Sequence, residues 1–168
     1  MLSPTIQDAL NAQLNMELYS AYAYASMAAY FDHQSLNGFS HWMQLQVQEE
    51  VDHGKKFYEY INDAGGRVVL AAIAAPPTDF GGSVEVFEGV LEHERAVTQS
   101  IYKLVDLSLK ESDHGTNTFL QWFVTEQIEE EANADNILQR LKLVANSPEG
   151  IFMMDQDLGS RQAEAPAE

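Results

Sequence analysis

The sequence contains no cysteine. Disulfides, thiolate zinc sites, iron–sulfur clusters and thiol nucleophiles are therefore excluded, and any metal must be held by Glu, Asp, His or carbonyl oxygen. Basic residues are scarce: nine Lys and Arg stand against 26 Asp and Glu, a formal charge of -17. Such a chain is a poor partner for nucleic acid or an anionic membrane and a good one for cations. No apolar run approaches the roughly 18 residues of a membrane span, and Met1-Leu-Ser-Pro-Thr-Ile-Gln-Asp8 lacks the basic head and apolar core of a secretion signal. The expected location is the cytoplasm. Regular strand alternation is also missing, and the five prolines sit mostly near ends and loops. With 168 residues, 45% of them apolar, and abundant Ala, Leu, Glu and Gln, the chain is expected to be all-α with one core.

What is present is a set of four long apolar seams, each stepping by alternating fours and threes, the spacing of helices packed in an antiparallel bundle. The first, over 4–32, runs Leu10, Leu14, Glu17, Ala21, Tyr24, Ala28, Phe31, with Ser3-Pro4 as its cap. The second, over 36–64, runs Phe39, Met43, Gln46, Glu50, His53, Phe57, Tyr60, Ala64 and stops at Gly65-Gly66. The third, over 83–111, is expected to be capped by Ser83 and runs Phe87, Leu91, Glu94, Thr98, Ile101, Val105, Ser108. The fourth, over 114–145, runs Thr116, Leu120, Phe123, Gln127, Glu130, Ala134, Ile137, Leu141, Val144.

Two of the three bundle connections are short. The remaining one, bounded by Gly65-Gly66 and Gly81-Gly82 with Pro76-Pro77 inside, reads as an extended connector. A helix of nearly thirty residues is about 43 Å long at ~1.5 Å per residue, a distance this connector can span. The second and third helices can then run parallel, so the expected topology is two hairpins joined by one long crossover. Ser147-Pro148 begins a short fifth segment whose apolar residues, Ile151 to Met154 and Leu158, are expected to pack against other subunits. The domain is expected over 1–158, and the small polar residues of 159–168 read as a flexible tail.

Each seam is interrupted by polar residues near its midpoint: Glu17, Glu50 with His53, Glu94, and Gln127 with Glu130. Glu50 and His53 are three apart, one turn above each other on one helical face, where they can share a cation. Helices of equal length laid side by side bring their midpoints to one level, so the six groups should meet inside the bundle. Four clustered carboxylates cannot all stay ionised without cations, and two divalent ions would balance them. Mixed carboxylate and imidazole donors suit non-haem iron or manganese better than calcium.

With these motifs the chain resembles the bacterial non-haem ferritins along nearly its whole length, on Glu17, Glu50-Val-Asp-His53, Glu94 and Gln127-Ile-Glu-Glu130 together with the crossover and the fifth helix. The resemblance implies an iron store with ferroxidase activity, taking Fe(II) and dioxygen or hydrogen peroxide, assembled as a hollow shell of 24 subunits. It implies that Glu17, Glu50 and His53 hold one iron, that Glu50 bridges, and that Glu94 and Glu130 hold a second with Gln127 alongside. No haem is expected, because Val51 stands where the haem-binding relatives carry methionine. In similar ferritins the counterparts of Glu49, Glu126 and Glu129 form a third iron position, an ordinary solvated acidic face being the alternative. Tyr24 hydrogen-bonds a ligand carboxylate or supplies an electron, as the resemblance implies, or is a plain core residue. Trp122 reads as packing, and His33, His41, His93 and His114 as surface or turn residues. An oxygenase acting on an organic substrate and a metal-free structural bundle are the rival functions.

Overall fold

The computed structural model describes residues 2–163. Five helices follow in order: α1 Pro4–His33, α2 Asn37–Asp63, α3 Ser83–Lys110, α4 His114–Val144 and α5 Pro148–Leu158. α1 packs chiefly on α2 and α3 on α4, two hairpins joined by the 64–82 crossover. The expected seams are buried throughout, apart from Tyr60, Ala64, Val105 and Val144 toward helix ends, which are half-buried.

Local chemistry sets most helix ends. Ser3 accepts from the Ile6 amide at 3.2 Å with Pro4 in the first turn, and Ser147 accepts from the Gly150 amide at 3.0 Å. Asp113 caps α4 through Thr116 N at 3.0 Å. α2 stops where Gly65, at φ 74°, turns left-handed, so that Gly65 N bonds Asn62 O and Gly66 N bonds Ile61 O. The cap expected from Ser83 is not made: Ser83 is the first helical residue, behind Gly82, and no side chain accepts there.

α2 has no cap of its own at Leu36. Asp155 of α5, buried and far off in sequence, supplies one: its Oδ1 accepts from Gly38 N at 2.7 Å and Phe39 N at 3.1 Å. A carboxylate at a helix N-terminus satisfies free amides and meets the positive end of the helix dipole. The approach is close enough that a Cβ on Gly38 would lie 1.7 Å from the Asp155 carbonyl oxygen. α5 thus docks on its own chain, burying Met154 and Leu158 in the core; only Phe152 and Met153 of its apolar residues point outward. The sequence-based expectation that its whole apolar set faces other subunits is corrected accordingly.

The crossover climbs the length of α1. Near its start Arg67 N and Val69 N donate to Gln7 Oε1 and Asn11 Oδ1; near its end Pro77 O and Phe80 O accept from Ser26 and Tyr30. α3 therefore starts at the opposite end of the bundle from the one at which α2 finishes. The core falls into two apolar clusters, one around Phe31, Phe39, Trp42, Phe87 and Leu141, the other around Leu10, Phe57, Ile101, Leu120 and Phe123. Each fully buried aromatic or aliphatic side chain contributes about 1.5–3 kcal/mol. Between the clusters lies a polar layer. Among the described residues no helix is long and apolar enough to cross a membrane.

Candidate metal centre

The polar layer is assembled by all four long helices. Glu17 comes from α1, Glu50 and His53 from α2, Glu94 from α3, and Gln127 and Glu130 from α4, and all six are buried. The alternating seam explains this placement: a polar residue occupying a seam step is carried inward by the apolar residues a turn either side of it.

Glu17, Glu50 and His53 present ligand atoms all within 4.8 Å of one another, and His53, Glu126 and Glu130 form a second such group sharing the imidazole. His53 Nδ1 lies 3.6 Å from Glu50 Oε2, and its Nε2 lies 3.8 Å from Glu126 Oε1. Around them runs a ring of donors. Gln13 Nε2 donates to Glu17 Oε1 at 2.8 Å, Gln46 Nε2 to Glu130 Oε2 at 3.0 Å and Gln127 Nε2 to Glu94 Oε2 at 3.2 Å, while the Tyr24 hydroxyl donates to Glu94 Oε1. Two carboxylate oxygens are left over: Glu17 Oε2 and Glu50 Oε2 are buried and accept no hydrogen bond. A buried carboxylate oxygen that accepts no hydrogen bond costs about 1–3 kcal/mol or more, and with only the His53 imidazole near Glu50 Oε2 the pair can take a further cation.

Electrostatics agree. Burial pushes Glu17 up, opposed by His53 and Gln13. Burial, with Glu94 and Glu17 beside it, raises Glu50 well above the carboxylate range. Glu130 is pushed up to about 8 by burial, Glu94 and Glu49. His53 loses from burial but gains more from Glu126 and Glu50, and is pushed up to about 11. Burial and then Glu94 raise the Tyr24 phenol well above 10, which keeps it protonated as a donor. The site takes up protons where cations are absent, and so will exchange protons for metal.

A family model of the ferritin-like domain matches residues 7–144. The chain belongs to the bacterial non-haem ferritin family. Bacterial non-haem ferritins from Staphylococcus saprophyticus and Bacteroides fragilis are 41% and 42% identical to it over 161 residues, covering 96% of this chain and 96% and 100% of theirs. An open-pore ferritin from the archaeon Archaeoglobus fulgidus has 44% identity and a TM-score of 0.96 over 96% of this chain and 100% of that one. As a ferritin, the chain is an iron-storing ferroxidase with the bundle fold expected of one.

Within this ferritin the secondary residues divide. Glu126 is half-buried at the centre, against His53. Glu49 is half-buried and ion-paired with Arg161 at 3.0 Å, and Glu129 is exposed on a cleft of about 310 Å³ that it shares with Trp42 and Arg161. The three acids of the expected third position are thus not gathered into one ligand group among the described residues. Trp122 lies edge-on to His53 with ring centroids 5.4 Å apart. His33 and His114 are exposed.

His93 departs from its expected surface role. It is half-buried, hydrogen-bonded to Ser20 Oγ at 2.7 Å and edge-on to Tyr24, and burial holds its imidazole below its ordinary value. His41 is likewise engaged, its Nε2 donating to the Arg161 carbonyl at 2.9 Å. Sequence reasoning missed Gln13 and did not assign Gln46 a role, although Gln46 is on the seam and Gln13 stands four residues before Glu17, the spacing of a helix-surface pair. It also missed Arg161, for which no local signal exists.

Proposed function

We propose that Glu17, Glu50 and His53 bind one Fe(II), that Glu94 and Glu130 bind a second with Glu50 between them, and that Gln127 orients Glu94. The two irons give one electron each to dioxygen, which with two protons becomes hydrogen peroxide, or to hydrogen peroxide, which with two protons becomes two waters. Carboxylates favour this direction because hard anionic oxygen stabilises Fe(III) over Fe(II). Tyr24 holds Glu94 in place through its hydroxyl and stands where it can pass on an electron. Fe(III) then leaves by way of the acidic residues Glu126, Glu49 and Glu129 for storage inside a shell, which we take to hold 24 copies working in the cytoplasm. The exposed Phe152 and Met153 suit such contacts between copies.

The observation that carries this reading is the pair of buried oxygens on Glu17 and Glu50 that accept no hydrogen bond, sealed beside His53 between two halves of an apolar core. The test is stopped-flow oxidation of Fe(II) at two ions per chain. Glu17→Ala, His53→Ala and Glu94→Ala should each remove the fast phase; unchanged rates in all three would refute the assignment.

A further inference from the structure

Resting on the metal-centre reading above, we infer that Arg161 is a tethered cation: it occupies the Glu49 carboxylate in place of a further metal ion and, through Gln46, positions Glu130. The guanidinium reaches both oxygens of Glu49 with one nitrogen, Nη2 lying 3.0 Å from Oε1 and 3.1 Å from Oε2. Its Nη1 donates to Gln46 Oε1. Because a guanidinium can only donate, Gln46 must turn its oxygen to Arg161 and its Nε2 to Glu130 Oε2, 3.0 Å away. One cation thereby neutralises an acid next to the centre and fixes the amide that holds a centre acid.

The placement is built, and not a chance of a loose end. Arg161 stands three residues beyond the end of α5, whose Asp155 caps α2, and a Cβ on Gly159 would lie 3.2 Å from Gly38 Cα. The Arg161 carbonyl accepts from His41, and the guanidinium lies over the Trp42 ring, 5.2 Å from its centroid. Arg161 and Glu49 are only 19% and 17% exposed, so the pair is partly shielded from water. On its outer side Arg161 lines the cleft that also carries Glu129.

The guanidinium nitrogen sits between the two Glu49 oxygens, where a divalent ion would be chelated, so a chelated metal and Arg161 compete for Glu49. An ion moving outward through Glu49 must displace Arg161, which frees Gln46 and loosens Glu130. By linkage the reverse holds equally: a seated Arg161 weakens metal binding at Glu49.

Zn(II), which does not change oxidation state, is titrated calorimetrically into the metal-free full-length protein. The wild type should bind two ions tightly and a third weakly. Arg161→Ala should strengthen the third event on the order of tenfold. Arg161→Gln, polar but uncharged, should do the same, and Arg161→Lys should stay near the wild type. Adding Glu49→Gln should abolish the gain. A third affinity unchanged in both neutral variants, or a gain that survives Glu49→Gln, overturns the inference. Loss of the two tight events in the wild type would instead overturn the metal centre itself.

Discussion

Replacing Glu130 by glutamine should make the metal-free protein more stable and the metal-loaded protein less so. Burial with Glu94 and Glu49 beside it lifts this carboxyl from 4.5 to about 8. Between those values the folded chain holds a proton that the unfolded chain has released, so stability falls as pH rises, by about 1.4 kcal/mol per unit. The cost is about 1 kcal/mol at pH 5 and about 3 kcal/mol at pH 7. Glutamine at 130 does not titrate and can still accept from Gln46 through its amide oxygen. Allowing for burial of the amide, Glu130→Gln should gain about 2–3 kcal/mol at pH 7 and well under half of that at pH 5. The assay is urea denaturation of chelator-treated protein followed by far-ultraviolet circular dichroism at both pH values. Saturating Zn(II) should reverse the order, because only the wild type offers the ions a fourth carboxylate. A variant no more stable than the wild type at pH 7, or a gain equal at both pH values, would refute the idea that the layer is kept acidic at the expense of the apo fold.

Three further outcomes follow from the same geometry. Zn(II) binding at pH 7 should release at least one proton per chain and tighten as pH rises, since Glu50, Glu130 and His53 all hold protons above their ordinary values; calorimetry in buffers of different ionisation enthalpy measures this. Asp155→Ala removes the side-chain cap of α2, made at 2.7 and 3.1 Å, and should cost about 1–3 kcal/mol in denaturant titration, with α5 becoming the first segment to exchange its amides. Tyr24→Phe keeps the ring against Trp42 and His93 but loses the bond to Glu94; it should leave Zn(II) stoichiometry intact, change stability by about 1 kcal/mol and slow Fe(II) oxidation in stopped flow.

The helices and the six central residues were legible because their signals are local and periodic. A seam at spacing four and three, interrupted at mid-length on all four helices, fixes which face is buried and at what height the polar groups meet. Gly65-Gly66, Ser3-Pro4 and Ser147-Pro148 marked ends through backbone preferences of those residues alone. Illegible were the contacts that depend on chain segments distant in sequence. Asp155 capping Gly38 and Arg161 seated on Glu49 each join residues more than 100 positions apart. The sequence around Arg161 reads only as a polar tail; residues 164–168 of that expected tail lie outside the described residues. Ser83 looked like a cap, but the chain enters α3 one residue earlier through Gly82. His93 looked exposed because its burial comes from α1, through Tyr19, Ser20 and Tyr24.

The most direct test is crystallographic. Crystals soaked anaerobically in Fe(II) and measured across the iron absorption edge should show two anomalous peaks per chain, one touching Glu17 Oε2 and His53 Nδ1, the other touching Glu94 and Glu130, with a Glu50 oxygen at each. Iron found only on the exposed acids, with none at Glu17 and Glu50, would contradict the account.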